Sequence, residues 1–174
     1  MNTINRRFLS CLVLTLLFSL SITQGQAGER KLSFAVSGVV ATLNVRPGDR
    51  VTAGTVLAVL DQSPFKSRKR AADASATAAK LIVELAEVKR AQVQELFDAL
   101  STSQEEVDKV AIEHAHAVSA FEAAKSKAEI ATWRLQRSSL TSPFSGTVSA
   151  VAGYPGMVIN TYAGSQPVVI INTP

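Results

Sequence analysis

One short β pattern occurs twice in this chain, and roughly 75 residues of a different character separate the two copies. Gly38 precedes Pro47-Gly48 in the first copy, and Gly146 precedes Pro155-Gly156 at the same spacing in the second. Pro and Gly supply the φ values of tight turns, and the β-branched residues between them favour strands. A half of about 30 residues cannot bury enough apolar surface alone. We therefore predict that the halves close on each other as a pseudo-twofold β-sandwich; the alternative is two unrelated hairpins.

The intervening segment, residues 63–137, has the composition and apolar spacing of helices. It contains no glycine, and Ala, Glu, Lys, Gln and Leu are abundant in it. Apolar residues recur in steps of three and four, which is typical of a coiled-coil seam. The predicted seam comprises Ala74, Ala78, Leu81, Leu85, Val88, Gln92, Leu96 and Ala99 in the first stretch, and Val107, Val110, His114, Ala117, Phe121, Ala124, Ala128, Ala131 and Leu135 in the second.

A break is expected in the middle of this segment. Ser101-Thr102-Ser103 interrupts the pattern, and Ser103 with Glu106 forms the S-x-x-E capping box that begins a new helix. Each arm is then about 33 residues and close to 50 Å long. Equal antiparallel arms return the chain to its starting point, so the second β half can dock on the first. A single unbroken helix is the alternative.

Residues 1–27 have the features of a secretory signal peptide. Arg6 and Arg7 precede an uncharged, mostly apolar run from Phe8 to Ile22, and small residues, Gly25 and Ala27, follow. The alternative is an uncleaved anchor, which would associate the chain with the membrane through its N-terminus. The mature chain contains no cysteine and is indifferent to an oxidising compartment. Export is the localisation that the sequence indicates.

No residue constellation points to catalysis, a cofactor or a metal. His114 and His116 lie about 200° apart on a helix and cannot share a metal, so His114 is interpreted as a packed seam residue. No phosphate-binding, metalloprotease or hydrolase motif occurs. A net charge of +4 gives no reason to expect nucleic-acid binding. The basic cluster 66–70 is either a solvated first helical turn or a contact for anionic lipid headgroups or an acidic neighbour.

Residues 36–61 resemble the biotinyl/lipoyl-like domain, and residues 140–148 are similar to the segment that re-enters that domain. The split by a helical hairpin resembles periplasmic adaptor (membrane fusion) proteins of tripartite efflux and HlyD-like secretion systems. The resemblance implies an α+β fold: a lipoyl-like β-sandwich in two halves, residues 32–62 and 138–173, around an antiparallel coiled-coil α-hairpin, residues 63–137, with its tip at about 99–103. Relative to that family, we expect the chain to lack the usual β-barrel and membrane-proximal domains.

This family resemblance implies a non-catalytic periplasmic adaptor that links an inner-membrane transporter, of RND or ABC type, to a TolC-type outer-membrane channel. A homo-oligomer is also implied. The family's Arg-x3-Leu-x6-Ser tip pattern falls on Gln92, Leu96 and Ser103, with Gln in place of Arg. The expected structural turns use Gly38, Pro47, Gly48, Gly54, Pro143, Gly146, Pro155 and Gly156. The alternatives are a truncated adaptor acting as a periplasmic scaffold, or a lipoyl or biotinyl carrier domain.

Overall fold

The computed structural model describes residues 28–173; the predicted signal peptide, residues 1–27, lies outside them. These residues form eight strands and two long helices. In chain order the elements are β1 Gly28–Leu32, β2 Gly38–Leu43, β3 Arg50–Val51, β4 Val56–Leu60, α1 Ser63–Asp98, α2 Gln104–Arg137, β5 Ser139–Thr141, β6 Gly146–Val151, β7 Val158–Ile159 and β8 Val169–Thr173, with a short 3-10 turn at Thr161–Ala163.

The strands form two four-stranded antiparallel sheets, ordered β1-β8-β6-β3 and β5-β4-β2-β7. Each sheet contains strands from both sides of the helical segment. The two sheets share one apolar core, in which Leu57, Leu60, Val148 and Ile171 are fully buried. The two sequence halves therefore build a single interior, as the repeat predicted.

The repeat in the sequence appears in the structure as a reciprocal exchange of strands. Gly38 pairs with Ile159 in the β2–β7 ladder, and Gly146 pairs with Val51 in the β3–β6 ladder. Each residue of one pair lies the same number of positions before its counterpart in the other pair, so the two ladders are equivalent. The bond from the Gly48 N–H to the Val148 carbonyl is likewise matched by one from Gly156 to Val40, both 2.8 Å long.

The two Pro-Gly pairs occupy equivalent tight turns. Gly48 has φ of +92° and Gly156 has φ of +89°, and each turn closes with a hydrogen bond across the pair, 3.1 Å long in both cases. Proline at the second position and glycine with positive φ at the third define a type II turn. These turns direct β3 and β7 back onto the opposite half.

Two long helices extend from the β body. The α1 helix has 36 residues and α2 has 34, so they are about 54 and 51 Å long. They run antiparallel, since residues near the start of α1 lie beside residues near the end of α2. The interruption predicted at Ser101–Ser103 is present, because α1 ends at Asp98 and α2 begins at Gln104. Neither helix carries an apolar stretch that could cross a membrane.

The face that α2 buries agrees with the sequence prediction, whereas the face predicted for α1 is wrong. All nine predicted α2 positions are buried or half-buried, including His114. All eight predicted α1 positions are exposed. The apolar α1 side chains that are at least partly covered are Phe65, Ala72, Ala76, Ala79, Val83, Ala86, Val93 and Phe97.

The physical reason for this difference lies at the start of α1. Phe65 is only 4% exposed and belongs to the core of the β body, which fixes the rotation of the helix about its axis. Heptad steps from Phe65 reach Ala72, Ala79 and Ala86, and these small residues allow α2 to approach closely. The α1 helix thus has two apolar stripes, and the predicted face was the stripe that carries the leucines.

Candidate partner-binding surfaces

The connection between the helices ends α1 with a Schellman motif. The Ser101 N–H bonds to the Leu96 carbonyl at 2.8 Å and the Leu100 N–H to the Phe97 carbonyl at 2.9 Å. This pattern requires a left-handed residue at Leu100, whose φ is +58°. Glycine usually occupies such a position, because a side chain there costs about 1–2 kcal/mol.

Leu100 is also the most exposed large aliphatic side chain among residues 28–173, with 94% of its surface accessible. An apolar side chain in a strained backbone conformation at the far end of a helix pair contributes nothing to the core. Strain of this kind is a reason to look for function. Leu100 lies within the tip predicted at 99–103, and its signal in the sequence is a non-glycine residue where a helix must reverse.

Ser103 is the N-cap of α2 and lies directly before its first residue, Gln104. Its hydroxyl accepts a hydrogen bond from the Glu106 N–H at 3.4 Å, as an N-cap does. The Glu106 carboxylate does not complete the capping box among the described residues; it lies 3.5 Å from the Lys109 ammonium instead. The negative charges of Glu105 and Glu106 in the first turn also interact favourably with the positive end of the helix dipole.

Gln92 and Leu96 lie four residues apart on α1 and are both exposed, so the structure places them on one accessible face near the tip. Leu96 is not a seam residue, because 49% of its surface is accessible. Ser103 follows on the connection. Within residues 28–173 no side-chain hydrogen bond links Gln92, Leu96 and Ser103 to one another, and Ser103 instead accepts the bond that caps α2.

A stripe of large apolar side chains continues from Leu96 toward the middle of α1. Its members are Leu81, Leu85 and Val88, which are 60%, 71% and 54% exposed, and they recur in steps of four and three. We call this set the α1 outer stripe. A stripe with heptad spacing normally faces another helix. Here the partner helix α2 already covers the opposite face, so the outer stripe faces away from it.

One ion pair ties the helices together beside this stripe. The Lys89 Nζ lies 2.6 Å from the Glu113 Oε2. The hydrogen bond from Lys89 lowers the pKa of the Glu113 carboxyl, and the same bond raises the pKa of Lys89. The contact links α1 to α2 about two turns from the tip and favours one register of the two helices.

The predicted turn residues lie where strands begin or reverse in the β body. Gly54, with φ of +87°, closes the turn between β3 and β4. Pro143 lies in the bend between β5 and β6, and Gly38 and Gly146 open β2 and β6. A Cβ on Gly146 would clash with the Asn172 carbonyl oxygen, so close backbone approach requires glycine there.

Within residues 28–173 no group of three or more His, Cys, Asp or Glu side chains is arranged to hold a metal ion. His114 is half-buried between the helices, and His116 is exposed. The described surfaces offer apolar and charged contacts to other molecules, and the tip and the α1 outer stripe are the strongest candidates for partner binding.

Comparison with known proteins identifies the same architecture elsewhere. Residues 31–172 match the family model of the RND MFP (membrane fusion protein) barrel-sandwich hybrid domain. No significant match to a curated protein sequence is found.

Three solved structures are similar in fold. The membrane fusion protein Spr0693 from Streptococcus pneumoniae R6 is 23% identical, with a TM-score of 0.65 over 84% of this chain and 59% of that one. ZneB from Cupriavidus metallidurans is 19% identical, with a TM-score of 0.60 over 85% and 62%. A MacA–MexA chimeric protein containing the Pseudomonas aeruginosa MexA α-hairpin domain is 21% identical, with a TM-score of 0.60 over 83% and 46%. This chain thus spans less than two thirds of each.

Proposed function

Since this chain belongs to the RND membrane fusion protein family through its barrel-sandwich hybrid domain, we propose that it is a non-catalytic periplasmic adaptor. In this role it links an inner-membrane transporter, of RND or ABC type, to a TolC-type outer-membrane channel in efflux or secretion. Residues 1–27 act as the signal peptide that directs export. The proposal assigns the chain a mechanical task, with no reaction at any residue.

We infer that the β body, residues 32–62 with 138–173, is a lipoyl-like sandwich and that residues 63–137 form an antiparallel coiled-coil hairpin. The reciprocal pairing of β2 with β7 and of β6 with β3 supports the first statement. Partly covered side chains in steps of three and four on both helices support the second. A hairpin of about 50 Å sets the distance that the adaptor spans.

The tip is the proposed docking site for the channel, and Leu100 is the observation that carries this proposal. An exposed leucine held at positive φ lowers the stability of the free protein, and a contact with another molecule would offset that cost. Gln92, Leu96 and Ser103 lie on the adjoining surface and extend the same contact. Helix-to-helix pairing with the channel's end would bury these side chains.

The α1 outer stripe supports a homo-oligomer. Leu81, Leu85 and Val88 present a heptad-spaced apolar face that the chain's own α2 does not cover. A second copy of this chain packed alongside would remove that face from water, and a closed ring would do so for every copy. In this proposal the α1 outer stripe mediates assembly of neighbouring copies, and the tip mediates docking to the channel.

The test is capture from the tip in living cells. The sole cysteine of the chain is Cys11, in the proposed signal peptide, so a single cysteine replacing Leu100 gives the mature protein one thiol. A photoreactive group attached there should crosslink to an outer-membrane channel, identified by mass spectrometry. A cysteine replacing His116, exposed on α2 away from the tip, is the control and should not capture the channel. Failure of the Leu100 site to capture any channel contradicts docking and leaves only a scaffold role.

Leu100→Gly separates docking from folding. Glycine relieves the positive φ, so the free energy of unfolding should rise by about 1 kcal/mol. Removal of the leucine should nevertheless abolish transport-dependent resistance or secretion. A variant that is more stable and fully active would show that the Leu100 side chain has no docking role.

A further inference from the structure

A cavity of about 330 Å³ opens between the helices where they leave the β body. Its floor is apolar, formed by Phe65, Ala72 and Ala131, and its rim carries Arg68, Lys127 and Arg134. Phe65 and Ala131 are buried, so the floor is part of the packed structure. The volume lies in the range of sites that hold small organic ligands.

The rim has positive charge without a counter-charge. None of its three cations takes part in the ion pairs found in residues 28–173. No carboxylate lines the cavity. The neighbouring Lys69, by contrast, is neutralised by Asp73 at 2.6 Å. The basic cluster 66–70 therefore divides, and only Arg68 contributes its charge to the cavity.

A second groove of about 430 Å³ continues the cavity onto the β body. The two share Phe65, Arg68 and Arg134, and the groove adds the aromatic side chains of Trp133 and Tyr162. Arginine guanidinium groups bind carboxylate, sulfate and phosphate oxygens in pairs, and they also stack on aromatic rings. The same two arginines thus border both an apolar chamber and an aromatic surface.

We propose that this cavity binds an amphiphilic organic anion, with an acyl or aromatic body and one carboxylate, sulfate or phosphate group. The apolar floor would take the body, and Arg68, Lys127 and Arg134 would hold the anionic group. A free amphiphile can enter this open cavity and reach its floor, whereas a bilayer surface or an acidic protein segment would contact the rim without filling the floor. This site is separate from the tip and does not depend on the proposed channel docking.

The chain's single tryptophan supplies the readout. Trp133 lies on the groove that continues the cavity, so a bound aromatic anion should quench or shift its fluorescence. Anilinonaphthalene sulfonate is the probe, titrated into the purified protein, with decanoate as the competitor. Decanol, which has the same tail without charge, and acetate, which has the charge without the tail, should compete much more weakly.

Matched variants separate a built site from general charge. Arg68→Ala with Arg134→Ala should weaken probe binding about tenfold, the sum expected for two solvent-accessible charge contacts. Lys66→Ala with Arg70→Ala removes the same charge from exposed positions of the same helix turn that line neither volume. This control should change the affinity by less than about twofold, because salt screens the more distant charges.

A second pair of variants tests the apolar contacts of the proposed cavity. Ile130→Ala removes a side chain that lines the cavity and is 50% exposed, while Ile112→Ala removes an isoleucine nearer the tip that is 59% exposed and does not line the cavity. Only the former should weaken binding. Circular dichroism of each variant verifies that the helices remain formed.

The proposal is overturned if the two double variants weaken binding equally, if decanol competes as well as decanoate, or if only phosphatidylglycerol vesicles bind and monomeric anions do not. It is equally overturned if binding of the probe does not saturate. Selective loss in Arg68→Ala/Arg134→Ala and in Ile130→Ala, with saturation by the monomeric anion, supports it.

Discussion

Replacing Gly146 by alanine tests the close approach of β6 and β8, two neighbouring strands of the second sequence half, at one atom. The added Cβ would clash with the Asn172 carbonyl oxygen and would lie 2.7 Å from the Ile171 Cγ2. That carbonyl belongs to the backbone of β8, which pairs with β6 at Thr147, so it cannot move without disturbing the ladder. Overpacking that forces a backbone shift costs about 3 kcal/mol. For a chain of this length that corresponds to a melting temperature roughly 6–12 °C lower.

Gly38→Ala is the matched control, because Gly38 is the equivalent position in the other half. Its added Cβ would lie 3.1 Å from the Leu60 Cδ1, and its three nearest neighbours would all be side-chain atoms of Leu60 and Phe65. We expect a loss of about 1 kcal/mol or less, since a shift of a few tenths of an ångström in one leucine methyl group relieves the contact. Urea unfolding followed by circular dichroism gives both free energies. Equal losses at the two positions would refute the assigned packing of β6 against β8.

Three further changes test the helices. Val83→Asn places an amide on the covered face of α1 and should lower the free energy of unfolding by about 1–3 kcal/mol. Val88→Asn, on the exposed face, should change the free energy of unfolding little. Equal losses in urea unfolding would contradict the assigned rotation of α1. Ser103→Ala removes an N-cap and should lower stability by about 1 kcal/mol in the same assay. Glu113→Gln should destabilise most near neutral pH. The lowered pKa of Glu113 adds stability that is fully present above the usual glutamate pKa of 4.5 and is lost as pH falls through the native pKa. The raised pKa of Lys89 adds stability that is fully present below the usual lysine pKa of 10.5 and is lost as pH rises through the native pKa. A difference from the native protein that does not shrink on acidification would contradict that ion pair.

The turns and the helix break could be predicted because they depend on local residues. Pro47-Gly48 and Pro155-Gly156 specify their turns through φ values, and Ser103 specifies the start of α2 through its hydroxyl. The covered face of α2 was also predictable, since α2 has one continuous apolar stripe. In each case a few neighbouring residues determine the geometry.

Features that depend on long-range packing were not predictable in the same way. The rotation of α1 follows from Phe65 entering the β core, and no local pattern distinguishes the Ala79 face from the Leu81 face. The pairing of β3 and β7 with strands of the opposite half also depends on contacts between residues far apart in the sequence. The cavity at the helix base arises only when Arg68 and Arg134, from two different helices, come together.

The most direct test of the central claim is a cysteine pair joining the two halves. Val39 and Val158 are opposite each other in the β2–β7 ladder and are both exposed, so their replacement leaves the core intact. Opposed antiparallel residues have Cα atoms about 4.5–5.5 Å apart, a distance that a disulfide spans. In a Cys11→Ser background, Val39→Cys with Val158→Cys should oxidise to an intramolecular disulfide in nearly every molecule. Val39→Cys with Leu85→Cys, far along α1, should stay reduced. Free thiols in the first pair, or disulfides only between molecules, would show that the two halves do not form one body.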